Sequence, residues 1–300
     1  MKKALSALLA AVMVLGLLAL APITAHAATI EVANATQFGN ALAQPGDNTI
    51  RLTDNITYDV ELWISAAKTI TLDLNGKTLN FNNRVCAGGG GKLLLAAPAN
   101  GQFNLSYSGG SSAAVWAGDD SIVEVTNVNG TGNFCAVCGT GGEVVVYGNV
   151  TGGNVGAYAD CGGKVTIDGT LTTSGTYIQF WDDDNDIEIN KTAAQFSTPT
   201  TKTGYKTYTD GTSTVWVKCA AHTPGDWIVD TQPTATVAGS KHKECTACGQ
   251  VTATEVIPAT GGGDTGDYFV LWGKTTTYLK SNFWNWILLI FLFGWIWMAF

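Results

Sequence analysis

Between residues 113 and 181, short apolar segments recur along the chain at a nearly constant interval. One series reads Ala114-Val115-Trp116-Ala117, Cys135-Ala136-Val137-Cys138, Gly156-Ala157-Tyr158-Ala159 and Tyr177-Ile178-Gln179-Phe180. A second reads Ile122-Val123-Glu124-Val125, Val144-Val145-Val146-Tyr147 and Val165-Thr166-Ile167-Asp168. A third, shorter segment closes each period, as in Asn149-Val150-Thr151 and Thr170-Leu171-Thr172. Clusters such as Gly139-Thr140-Gly141-Gly142 and Gly162-Gly163 separate them, where glycine supplies the positive φ of a sharp corner. Each period of about 21 residues therefore predicts three short strands joined by corners. One such coil cannot bury its own apolar stripe, but a stack of coils encloses a continuous core of Val, Ile, Ala and Leu. The pattern predicts an all-β chain folded as a right-handed parallel β-helix, with equivalent strands stacked about 4.8 Å apart. A β-sandwich of evenly spaced strands is the alternative.

Upstream text fits the same architecture. Residues 69–79, with Asn75-Gly76 as a turn signal, and Lys92-Leu93-Leu94-Leu95 read as further rungs. Residues 36–44 carry apolar positions at helical spacing after Asn34, a candidate N-cap, and predict a short helix covering the open end of the first coil. The chain divides into a signal peptide (1–27), a parallel β-helix domain (28–217), a Cys/His module (218–260), a Gly-rich linker (261–282) and an apolar anchor (283–300).

Charge and the termini narrow the setting. Lys2 and Lys3 precede the apolar run 4–21, and Ala25-His26-Ala27 is a small-residue cleavage site, the pattern of an exported protein. The two lysines are the only charges in that segment, so the mature chain carries 16 − 2 = 14 basic against 24 acidic residues, a balance of 14 − 24 = −10. An acidic surface repels nucleic-acid phosphates, and the only arginines, Arg51 and Arg84, look isolated and form no basic stripe, so nucleic acid is excluded as a partner. Residues 283–300 are 18 uncharged positions with tryptophans toward both ends. As a helix they would span about 27 Å, close to a hydrocarbon core, and predict a transmembrane anchor.

Residues 29–217 resemble the pectate-lyase-like right-handed β-helix domains of secreted and cell-surface proteins from Gram-positive anaerobes. The likeness rests on Ile30-Glu31-Val32, on Leu74-Asn75-Gly76-Lys77-Thr78-Leu79 and on the closing Gly204-Tyr205-Lys206-Thr207-Tyr208-Thr209-Asp210-Gly211. The resemblance implies a fold and leaves the activity open. Polysaccharide lyases on this scaffold need a calcium-binding acid cluster beside a basic residue, and hydrolases need paired carboxylates in a groove. Outward positions here are mostly Thr, Ser, Asn and Gly, so no catalytic residue is assigned. The favoured reading is a non-enzymatic cell-surface protein that binds glycans or other surface proteins; the alternative is a polysaccharide lyase or glycoside hydrolase.

Three constellations bear on chemistry. Asp182, Asp183, Asp184 and Asp186 offer clustered oxygens to calcium, although a solvated turn explains them as simply. Cys86, Cys135, Cys138 and Cys161 leave open whether they pair; Cys138 and Cys161 fall two positions apart on neighbouring rungs, and small buried thiols in an inward ladder are the other reading. Cys219 and His222, then Cys245 and Cys248, form a C-x2-H and a C-x2-C pair, the spacing of a structural zinc ribbon. His242 is an alternative ligand, and a Cys245–Cys248 disulfide or a hairpin packed around Trp227 are the alternatives to a metal. The segment 222–260 also resembles a short repeat of clostridial surface proteins. Ile257-Pro258-Ala259-Thr260-Gly261 resembles a sortase signal, but no basic residues follow the apolar stretch. The expected location is the extracellular face of the envelope, held by the membrane helix, with wall attachment as the second route.

Overall fold

The computed structural model describes residues 29–261 apart from 66, 67, 111, 133, 183 and 184, together with the backbone of 270–271 and 274–275. The expected signal peptide and the expected anchor at 283–300 lie outside the described residues. Among the described residues no helix is long and apolar enough to cross a membrane. Within the expected linker, Val270–Leu271 pairs antiparallel with Lys274–Thr275. The chain forms two compact units, Met1–Ser197 with Tyr205–Ala220, and Thr198–Gly204 with Ala221–Phe300.

The first unit is a parallel β-solenoid of the right-handed type, with about seven turns of about 22 residues. One coil comprises Val115–Gly118, Ile122–Val125 and Asn127–Gly130; the next comprises Cys135–Thr140, Glu143–Val146 and Val150–Gly152. Each strand pairs in parallel with its counterpart one coil away, giving three long sheets. The β-sandwich alternative is thereby overturned across these coils, because it would need antiparallel neighbours.

Alternation decides which side chains enter the tube. In the first sheet Ile70, Leu93, Val123, Val144, Val165 and Val215 stand in successive register. All six are at most 1% exposed. The second sheet contributes Leu105, Val128, Val150 and Leu171, and the third Val85, Val115, Val137, Ala157 and Ile178. These ladders merge into one buried cluster, which is why no single coil is stable alone. Asn75 and Gly76 adopt φ of 51° and 73°, the left-handed pair that turns the chain after Thr69–Asp73.

Both ends of the tube are closed. At the start, helix Ala35–Leu42 has Asn34 as its N-cap, whose Oδ1 accepts from the Gln37 amide at 3.0 Å, while Gln37 Oε1 accepts from the Ala33 amide at 2.7 Å. The reciprocal pair satisfies amides that a helix start otherwise leaves bare. Phe38, Ala41 and Leu42 face inward, and Phe38 meets Tyr58 edge-on. At the far end Ile187–Lys191 pairs antiparallel with Thr176–Asp182, and Tyr205–Thr209 pairs antiparallel with Thr214–Lys218. Two hairpins thus replace the open parallel edge of two of the three sheets, a device that blocks further strand addition there.

The second unit centres on a three-stranded antiparallel sheet, Pro224–Thr231, Gly239–Cys245 and Val251–Ile257. Its apolar side chains are largely exposed, Val229, Val251 and Val256 among them. Trp227 lies under the ammonium groups of Lys241 and Lys243, 4.4 and 5.1 Å from the ring centre. A sheet with so little buried apolar surface needs a staple.

Candidate functional site

Cys219, His222, Cys245 and Cys248 come together. Each offers one ligand atom, and all four atoms lie within 4.8 Å of one another, so the group could hold a metal ion and suits zinc. Local backbone explains the convergence. Cys219 directly follows strand Thr214–Lys218, and His222 precedes strand Pro224–Thr231 by two residues. Cys245 ends the middle strand of the small sheet, and the chain then doubles back through Thr246 and Ala247. The Cys248 and Gly249 amides both donate to the Cys245 carbonyl, at 3.3 and 2.9 Å, and Gly249 takes φ 65°, which few side chains tolerate. This is the tight knuckle that the glycine after Cys248 implies. Within the same unit, the Gly204 amide donates to the Cys248 carbonyl at 2.8 Å.

The electrostatics favour a ligand state. The three cysteines are buried and His222 is exposed; His222 Nδ1 lies 3.3 Å from Cys248 Sγ. Burial pushes the Cys245 thiol up, but hydrogen bonds from the Ala247 amide, His222, Cys248 and the Thr223 backbone outweigh it and bring the pKa down to about 6. A thiolate is then the dominant form at neutral pH, and the thiolate is what binds metal. All four positions are side chains of this chain, so a metal held by them would have a full set of protein ligands, as in structural centres. His242 is elsewhere: its Nδ1 meets Asp230 Oδ1 at 2.5 Å and its Nε2 meets Glu244 Oε1 at 3.0 Å.

The remaining sequence candidates fall out differently. Asp182 is engaged by Asn185, whose amide and side chain donate to the two carboxylate oxygens at 3.1 and 2.8 Å. Asp183 and Asp184 lie outside the described residues, so the calcium expectation at 182–186 gains no ligand geometry. Arg51 and Arg84, expected to be isolated, are paired with Asp73 at 3.5 Å and Glu61 at 2.7 Å. Their partners are 22 and 23 residues away, one coil along, which no local pattern reveals. Cys138 stands opposite Trp116 and Tyr158 and forms a disulfide with Cys135, whereas Cys161 sits on an exposed corner at φ 51°. Cys138 and Cys161 are therefore not rung neighbours, and Cys135 and Cys138 belong to a small apolar cluster separate from the interior.

The outer surface holds features that sequence reasoning missed. Two grooves stand out among the described residues of the solenoid. One, about 600 Å³, runs along three successive corners lined by Thr131, Gly132, Gly153, Asn154, Ser174 and Gly175. The other, about 340 Å³, has Tyr177, Asn190 and Lys191 in its walls. Neither lining contains a carboxylate. On the third sheet Trp63 stacks on Trp116, ring centres 5.5 Å apart and planes 24° apart, and Phe134 leans on Tyr158 at 5.3 Å. The signal available in sequence was the outward alternation of Trp116 and Tyr158 in equivalent segments; the three-residue strand of Trp63 is too short to show it. No protein-family model, curated protein or solved structure matches this chain.

Proposed function

We propose that the chain is an exported, envelope-tethered β-solenoid that works as a non-catalytic binding surface for glycans or neighbouring surface proteins. In this reading the solenoid is of the pectate-lyase-like kind, and Cys219, His222, Cys245 and Cys248 hold a structural zinc that folds the small sheet. The observation that carries the reading is the filled tube. The inward ladders are almost wholly buried, so any ligand must be met on the outside, where the grooves are lined by hydroxyls, amides and glycine backbone. Such linings suit hydroxyl-rich ligands and lack the paired carboxylates that hydrolysis would require.

Glycan-array binding by the full-length protein tests this. The expected result is retention of intact oligosaccharides, with no new reducing ends or unsaturated products after prolonged incubation. Turnover of any polysaccharide would replace the reading with the lyase or hydrolase alternative. Surface labelling of intact cells tests the location: a protein shielded from an impermeant reagent until lysis would contradict it.

A further inference from the structure

Trp63, Trp116 and Tyr158 of the third sheet lie in one row. Register across that sheet places Trp63, Cys86, Trp116, Cys138, Tyr158 and Gln179 on successive coils, all pointing away from the tube. Trp116 and Tyr158, with the Cys135–Cys138 disulfide, form an apolar cluster distinct from the interior. Trp63 is 54% exposed and Phe134 36%, so this patch is in contact with solvent.

The backbone beneath makes room for flat rings. A Cβ on Gly118 would sit 2.3 Å from the Trp116 indole, and one on Gly88 would sit 3.3 Å from it. Only their absence lets the indole lie down across the strands, where Trp63 covers it. Polar tethers then fix ring direction: Trp116 Nε1 donates to Thr140 Oγ1 at 3.3 Å, and Tyr158 Oη donates to Asp160 Oδ2 at 3.3 Å. Held rings of this type bind with little loss of side-chain entropy.

We infer that this row is the binding face for an uncharged polysaccharide, laid along the solenoid axis with pyranose rings on Trp63 and Tyr158, while the Trp116 indole, stacked against Trp63, holds that ring in place. The inference rests on the adhesive reading above and names its ligand class and its face. Three features select that ligand. Coils repeat about every 4.8 Å, close to the length of one sugar in an extended chain, so a chain laid along the axis advances about one sugar per coil and can reach from the coil of Trp63 to that of Tyr158 within a hexasaccharide. Pyranose C–H faces are apolar while their edges are hydroxyl, and the corner groove of Thr131, Asn154 and Ser174 lies on the same coils as Phe134 and Tyr158. Finally, no position in the row carries a charge, and a mature chain with a balance of −10 repels polyanions.

Isothermal titration of the full-length protein with cellohexaose, xylohexaose and chitohexaose, against polygalacturonate, tests the inference. The expected result is binding of at least one neutral hexasaccharide, weakened about tenfold or more by Trp63→Ala. Trp63 is exposed enough to be removed without opening a closed cavity, so the fold should be retained with only a modest fall in melting temperature. Trp116→Tyr, which keeps a ring, should bind nearly as wild type, whereas Gly118→Val, which lifts the indole, should bind as weakly as Trp63→Ala. Trp227→Ala on the small sheet should change nothing. Neutral binding that survives both Trp63→Ala and Gly118→Val would overturn this face while leaving the adhesive reading intact. Binding of polygalacturonate alone would overturn the uncharged class. Binding of no saccharide would sink this inference and remove glycans from the adhesive reading, leaving only protein partners to it.

Discussion

His222 Nδ1 and Cys248 Sγ approach to 3.3 Å across 26 residues of chain, bringing the two halves of a C-x2-H and C-x2-C pattern to one point. Two short pairs of side chains would not be gathered this way by a sheet whose own apolar contacts are mostly open to solvent. A metal held by the four residues would supply what packing does not.

The purified protein should therefore contain about one zinc per chain. Cobalt exchanged into the site should give the intense thiolate-to-metal absorption of a multi-cysteine centre. Cys248→Ser should lower the zinc content severely, and chelation should render residues 221–261 sensitive to limited proteolysis while the solenoid stays resistant. A protein that is zinc-free by elemental analysis, and whose small sheet is indifferent to chelator, would overturn the assignment.

The stacked ladder gives a second expectation, on packing. Val144 is wholly buried, with Val123 and Val165 in register on either side; its neighbour Val145 points outward. Val144→Ala removes two buried methyl groups and leaves a cavity in a tube that cannot collapse, at a cost of about 2 kcal/mol. Val145→Ala should cost well under 1 kcal/mol, within the usual range of a surface change. Urea denaturation of the two variants checks the pair. Equal losses would mean the alternation is not the one described.

Much of the solenoid was legible because its information is local and repeated. The period of Val123, Val144 and Val165 fixes both the strand and the inward face, and Asn34 and Asn75-Gly76 announce a helix start and a turn by backbone chemistry alone. The cysteine and histidine spacing likewise named four residues that the structure gathers. What was hidden depends on the stacking of neighbouring and more distant coils. Trp63 reaches Trp116 only because two coils stack between residues far apart in sequence, and Gly88 and Gly118 matter through what they leave empty. The step from Leu93 to Val123 spans 30 residues, and that from Val165 to Val215 spans 50, so the period breaks where loops and hairpins intervene. The same geometry moved Cys161 to a corner and gave Arg51 and Arg84 their carboxylates.

The last expectation concerns pH. On the small sheet the His242 ring lies between Glu244, at 3.0 Å from Nε2, and Asp230, at 2.5 Å from Nδ1. The charged groups on the opposite face, Lys241, Lys243 and Glu255, are turned away from it by strand alternation. The hydrogen bond to Glu244 is the largest influence and raises the His242 pKa above 6.5; partial desolvation opposes it, and Asp230 adds to the rise. A group whose pKa is higher folded than unfolded stabilises the fold most when protonated in both states. Its contribution is thus complete below the ordinary histidine value and is lost as pH rises through the folded value. The His242 ring proton should titrate by NMR with a midpoint above 6.5, and Glu244→Gln should bring that midpoint down. The stability advantage of the wild-type sheet over His242→Gln should also be slightly larger at pH 5.5–6 than at pH 8, the pH dependence of zinc binding being common to both proteins. A midpoint at or below 6.5 would show that the two carboxylates do not hold the imidazolium as the geometry requires.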